Sequence, residues 1–198
     1  MVNYGVNSNI IELQFPEWLS DFIGSHQQPI ATSEARMELV IELSRLNVEH
    51  STGGPFGAAV FDMESHQLIA AGINLVVANH CSMAHAEMVA ISTAQQQVDN
   101  FDLGAAELPH MELVTSCEPC AMCFGALPWS GIRHLTCGAR DEDARAIGFD
   151  EGPKHPDWQH ELEKRGIGVT TDICRNQARA VFTYYAATDG LIYNARQG

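Results

Sequence analysis

The sequence predicts an α/β protein, a layered sheet with helices on both faces. Two observations lead there. From residue 33 onward, windows with helical apolar spacing alternate with short strand-like runs. The chain has 198 residues and a hydrophobic content of 45%, enough for one well-buried core and too little for two full domains.

The elements follow in order. Phe15, Trp18, Leu19, Phe22 and Ile23 recur at helical spacing behind Pro16, a residue suited to a first helical turn. Residues 1–32 are therefore expected to form an amino-terminal extension carrying a short amphipathic helix, ahead of a single domain over 33–198. Thr32 or Ser33 is the expected cap of a second helix, with Met37, Val40, Ile41 and Val48 on one side. Gly53-Gly54-Pro55 ends it. Strand-like runs at 57–63 and 67–76 are joined by a polar turn and read as a hairpin. A helix is expected over 85–98, a strand over 111–116, a helix over 120–127 and a strand over 132–139. A last strand at 169–173 and a last helix at 174–187 complete the pattern.

Charge and composition restrict the partners. Eleven Lys+Arg against 25 Asp+Glu give a formal charge of −14. Nucleic-acid binders draw most of their non-specific affinity from cations that neutralise phosphates, so a polynucleotide is disfavoured, as is an anionic membrane surface. A neutral small molecule is the expected partner. No apolar run reaches the roughly 20 residues of a membrane span, and residues 1–10 lack the basic n-region of a signal peptide. A cytoplasmic location is expected, where six cysteines signify metal binding or catalysis rather than disulfides.

The chemistry-bearing signal is His85-Ala86-Glu87 followed by Pro119-Cys120-Ala121-Met122-Cys123. H-x-E with P-C-x-x-C is the signature of zinc nucleobase deaminases. Cys120 and Cys123, three apart at the start of a helix, project from one face, where the helix dipole favours thiolates. His85 adds a neutral imidazole. Three protein ligands leave a fourth tetrahedral position open, the pattern of a catalytic rather than a structural zinc. Glu87 stands beside the metal without ligating it, placed to move protons from water to a ring nitrogen and to the leaving amine. The competing arrangement is a closed Cys₃His cage that adds Cys117. It would leave Glu87 without a role, and Cys117 precedes the helix, so its sulfur need not face the same point. Cys81, Cys137 and Cys174 read as small buried thiols.

With these residues placed, the chain resembles the cytidine deaminase superfamily over roughly residues 33–187. The resemblance rests on Gly53-Gly54-Pro55-Phe56-Gly57, His85-Ala86-Glu87 and Thr115-Ser116-Cys117-Glu118-Pro119-Cys120. These elements are also shared with tRNA adenosine deaminases. More specific are Trp129, the segment Ala146-Ile147-Gly148-Phe149-Asp150-Glu151-Gly152-Pro153 and the tail Gly190-Leu191-Ile192-Tyr193-Asn194-Ala195-Arg196. They resemble bacterial guanine deaminases, in particular a subgroup that also accepts the triazine ammeline.

The resemblance implies a three-layer α/β/α sandwich around a mixed five-stranded sheet, and a homodimer. It also implies one zinc per chain on His85, Cys120 and Cys123, with Glu87 as proton shuttle. Phe56 and Trp129 fall on aromatic walls of the base pocket, Ala86 and Asn74 on residues that contact the base, and Glu151 on the acid that anchors guanine. Tyr193 and Asn194 fall on a tail that helps close the site.

The expected activity is hydrolysis of guanine to xanthine and ammonia. Ammeline, guanosine and cytosine are the alternative substrates. An RNA-editing adenosine deaminase fits the motif but not the charge, and a non-catalytic zinc-stabilised module would require four protein ligands.

Overall fold

A computed structural model describes residues 12–194. The remaining residues, among them Ala195 and Arg196 of the tail motif, lie outside the described part. Five strands form one mixed sheet in the order β2-β1-β3-β4-β5. β1 (Gly57–Asp62) lies antiparallel to both β2 (Leu68–Ile73) and β3 (Met111–Cys117). β4 (His134–Ala139) runs parallel to β3, and the short edge strand β5 (Gly168–Thr170) runs parallel to β4.

Alternation along β1 divides the core. Ala59 and Phe61 join a cluster with Met37, Leu43, Val181 and Phe182. These come from α2 (Ser33–Glu49) and α7 (Arg175–Ala187). Ala58 and Val60 point the other way, to Ala90, Ile91, Leu127 and Leu162. Those stand on α3 (Ala86–Gln97), α4 (Ala121–Ser130) and α6 (Trp158–Glu163). Successive strand residues facing opposite layers produce the three-layer sandwich expected from the resemblance. α3 lies unusually close to β2, because a Cβ on Gly72 would meet the Ala86 carbonyl oxygen at 2.3 Å. That contact seats the first turn of α3 directly on the sheet.

The helix behind Pro16 is α1 (Glu17–Ser25), which packs on the main body. Leu19 enters the core, while Trp18 stacks on His50 at 5.3 Å and donates to Thr52 Oγ1. Thr32 rather than Ser33 caps α2, its hydroxyl accepting from the Ala35 N–H at 3.2 Å. Inside the α2 face, Arg36 meets Glu112 at 2.8 Å, and Thr136 donates to the same carboxylate at 2.6 Å. This buried polar knot joins α2 to β3 and β4.

Two helices differ from the sequence pattern. α5 (Asp141–Ala146) and α6 are each one and a half turns long, too short for an apolar stripe to be read. α5 is set instead by charges. Arg145 binds Asp141, Arg175 binds Asp143, and the Asp143 carboxylate accepts from the Arg140 N–H. The final strand is also shorter than expected, since the chain leaves the ladder after Thr170. No helix among the described residues is long and apolar enough to cross a membrane.

Candidate active site

Two helix starts converge at the carboxyl end of β3. His85 is the N-cap of α3 and Cys120 the N-cap of α4, so both precede the helices that the sequence had them opening. His85 Nδ1 lies 3.5 Å from Cys120 Sγ and 3.7 Å from Cys123 Sγ, and the three ligand atoms all fall within 4.8 Å of one another. A tetrahedral zinc with Zn–N near 2.1 Å and Zn–S near 2.3 Å separates N from S by about 3.6 Å. Both N–S separations therefore match those of a shared zinc ion. Hydrogen bonds from Cys123 and His85 lower the Cys120 thiol to about 4, while Cys123, bonded to that thiolate and buried, is pushed well up. The pair thus yields one proton readily and holds the other, which a dication would displace.

Cys117 is not part of this group. It is buried, its Sγ donates to the Arg140 carbonyl at 3.5 Å, and burial pushes its thiol up. The geometry is that of three ligands rather than of a Cys₃His cage. Cys137 is buried as expected, but Cys81 and Cys174 are only partly so, because both sit on connections outside the sheet.

A cavity of about 730 Å³ opens onto His85 and Cys120, and among the carboxylates that border it two are strongly perturbed. Glu87, in the first turn of α3, is buried. Loss of water and the nearby Cys120 thiolate raise its carboxyl to about 7, against a smaller opposing effect of His85. Glu151 is raised to about 8 by burial first, then by the charges of Cys120 and Glu87. Two carboxyls held protonatable near neutrality in one cleft mark a site built for chemistry. A bound dication would draw both back down.

The expected site residues divide. Phe56, Asn74, His85, Glu87, Cys120, Glu151 and Tyr193 all line this cavity. Asn74 is 1% exposed, and its Oδ1 accepts from the Val76 N–H at 3.3 Å. That bond fixes the amide orientation and leaves Nδ2 as the group available to a ligand. Tyr193 packs edge-on to Phe149 at 5.2 Å and presses on the Gly54 backbone, where a Cβ would lie 2.8 Å from its hydroxyl.

Two residues are placed elsewhere. The Ala86 side chain belongs to the apolar cluster under α3 and does not line the cavity, because the first turn of α3 faces it to β2. Trp129 is 83% exposed in the last turn of α4 and borders a separate hollow with Arg133 and Arg165. Helical rotation over the nine residues from Cys120 carries it away from its own chain's cavity.

Other contributors were not read from the sequence. Asn47, fully buried on α2, donates through Nδ2 to the carbonyls of both Gly54 and Asn74, each at 2.9 Å. It thereby ties the Phe56 turn to Asn74. A polar amide inside an apolar helix face was the available signal. Phe149 and Glu118 also line the cavity, as does Asn194, which the resemblance had placed with Tyr193 on the closing tail. Asn194 fastens the tail by accepting from the Asp150 N–H at 3.0 Å and donating to the Gly148 carbonyl at 2.8 Å.

Comparison with known proteins agrees with this geometry. The family described as "Cytidine and deoxycytidylate deaminase zinc-binding region" matches residues 31–139. A guanine deaminase of Bacillus subtilis (strain 168) is 34% identical over 134 residues, covering 68% of this chain and 81% of that protein. A solved structure of a guanine deaminase from Nitrosomonas europaea superposes with a TM-score of 0.88 at 49% identity, covering 92% of this chain and 100% of the other. The protein NE0047 in complex with 2,6-diaminopurine gives 0.87 at 51% identity, over 93% and 97% of the two chains.

Proposed function

We propose, on the premise that this chain belongs to the cytidine and deoxycytidylate deaminase family, that it hydrolyses guanine to xanthine and ammonia. The observation that carries the substrate assignment is the buried Glu151 carboxylate in the same cavity as His85, Cys120 and Glu87. Guanine offers two adjacent donors, N1–H and the C2 amine, and an ionised carboxylate accepts both. Those donors also favour the ionised form of Glu151. Adenine and cytosine present an acceptor nitrogen beside their amine, which would face a carboxylate lone pair.

His85, Cys120 and Cys123 would hold one zinc ion, which when bound activates a water molecule for attack on the amine-bearing carbon. Glu87 carries protons to the ring N3 and then to the leaving amine. Its burial opposes the pull of the metal charge and so helps the carboxyl hold a proton between the two transfers. Asn74 Nδ2 donates to an acceptor on the ring, while Phe56 and Phe149 cover the planar base and exclude water. Tyr193 and Asn194 close the cavity from the same chain. A screen of ammonia release against guanine, ammeline, guanosine, cytosine and adenine tests the assignment. The expected result is xanthine from guanine. Faster turnover of adenine or cytosine would reject it.

The working unit proposed is a homodimer acting on a small base, without nucleic acid. Trp129 and Phe101 are both largely exposed on segments joined by the Leu103 N–H to the Ser130 carbonyl at 2.9 Å. A second copy would cover this apolar edge. Light scattering at micromolar concentration should give twice the 21.7 kDa chain mass, and a monomer would refute the dimer.

A further inference from the structure

The Lys154 side chain is 6% exposed, one residue past Pro153 in the wall of the catalytic cavity, and nothing in the proposed chemistry uses it. It belongs to the turn that carries Glu151, where its N–H bonds the Gly152 carbonyl at 3.1 Å. Its side chain reaches the turn that precedes α4. Nζ donates to the Pro119 carbonyl at 3.1 Å, one residue before the ligand Cys120. It also lies 3.5 Å from the Glu118 carboxylate and 3.3 Å from that of Asp141, with the Trp158 ring 4.8 Å away.

A lysine so desolvated is costly unless each partner is in place. Here the partners join two parts of the chain that share no ladder. One is the metal-ligand turn 118–120, and the other is the Glu151 turn. Two further bonds complete the junction. The Ala121 N–H, at the start of α4, donates to the Glu151 carbonyl at 2.9 Å, and Arg145 donates to the Gly152 carbonyl at 3.0 Å. Asp141 serves both cations, since Arg145 Nε lies 2.5 Å from its carboxylate.

We infer that Lys154 is a positioning residue that locks the Glu151 turn onto the zinc-ligand turn, so that Glu151 sits at a fixed distance from the reacting carbon. This inference rests on the guanine reading of the site. Without the ammonium, the turn keeps the Ala121 and Arg145 bonds but loses the Lys154 tie to the 118–120 turn. Misplacement by about 1 Å is enough for a loss of order 10²-fold in rate. His85 and Cys120 cap α3 and α4 and Cys123 lies within α4, so those two helices should still hold the metal trio when the clamp is removed.

The test is a double-mutant cycle with zinc-loaded enzyme, reading kcat/KM for guanine beside zinc content. Lys154→Met should keep one zinc per chain and lose roughly 10- to 100-fold, and Lys154→Arg, which keeps the charge, should recover most of that. In a Glu151→Gln background, Lys154→Met should cost less than about 3-fold, because the residue it positions is already disabled. Asp141→Asn, which removes a carboxylate partner of Lys154, should show the same coupling at smaller size and serves the cycle should Lys154→Met not fold. Losses that multiply in the two backgrounds would overturn the inference, as would Lys154→Met activity within about 3-fold of wild type. A wild-type enzyme inactive on guanine would instead defeat the substrate reading.

Discussion

His85, Glu87, Cys120 and Cys123 stand at the first turns of α3 and α4, whereas Glu151, Tyr193 and Asn194 stand on segments with no ladder of their own. The first wall of the cavity inherits its geometry from the sheet. α3 is pressed on β2 at Gly72, and α4 follows β3 through a turn of three residues. The second wall is assembled from side chains bonding to backbone: Lys154 to Pro119, Arg145 to Gly152, Asn194 to Gly148 and Asp150. On the proposed reading, reaction type rests on the elements seated on the sheet and substrate choice on the turn that carries Glu151.

The comparison predicts where losses will fall. Glu87→Gln should lower kcat by about 10³-fold or more with zinc content unchanged, because it removes the proton carrier from the rigid wall without touching a ligand. Metal analysis beside steady-state rates checks it, and near-normal turnover in the zinc-loaded variant would take Glu87 out of the mechanism. Glu151→Gln should cost about 10²-fold in kcat/KM for guanine, roughly 3 kcal/mol for a charged hydrogen-bonded pair in a dry site. Unchanged guanine kinetics would leave the deaminase reading standing and remove Glu151 from it.

A smaller effect is expected at the tail. Asn194→Ala deletes both bonds that fasten the tail, yet leaves Tyr193 packed on Phe149. KM for guanine should rise by roughly 3- to 10-fold with kcat little changed, as for loss of two neutral hydrogen bonds in a partly exposed segment. A fall in kcat with KM unchanged would show that the tail acts on the chemical step instead.

The same division explains what the sequence made legible. The metal wall was legible as two local motifs, H-x-E and P-C-x-x-C, each within one turn, and a known signature joined them across the 35 positions from His85 to Cys120. The α/β layering was legible for the same reason, as in β1, where alternation follows from a period of two. The recognition wall is long-range. Asn47 meets Asn74 across 27 positions and Lys154 meets Pro119 across 35, and neither pairing leaves a periodic trace. Trp129 shows the limit of transferring a role by position, since the likeness placed it on a wall that its own chain turns away from. α5 escaped notice because charges rather than an apolar stripe hold it.

That charge network gives the smallest predicted effect, and it concerns stability rather than catalysis. Asp143 on α5 meets Arg175 at 2.8 Å and Arg179 at 3.0 Å, both on α7, the helix that leads into the tail. Arg140, Glu142 and Asp172 complete the cluster around Arg175. Partial burial alone would raise the Asp143 carboxyl, but the Arg175 hydrogen bond, the Arg140 N–H and the two arginine charges outweigh it and hold the carboxyl below 3.8. A depressed folded-state pKa contributes stability that is fully present above the unfolded value of about 3.9 and is lost as pH falls through the folded value. Asp143→Asn should therefore destabilise the protein by about 1 kcal/mol at pH 7, given that one of its partners is well exposed. The difference from wild type should shrink below about pH 4 as the native carboxylate takes up its proton. Acid also strips zinc from thiolates and imidazole, but that loss is common to both proteins and cancels in the difference. Chemical denaturation of the two proteins across pH 3 to 7 reads it directly, and a gap that stays constant or widens toward acid would show that Asp143 stabilises α5 through packing rather than charge.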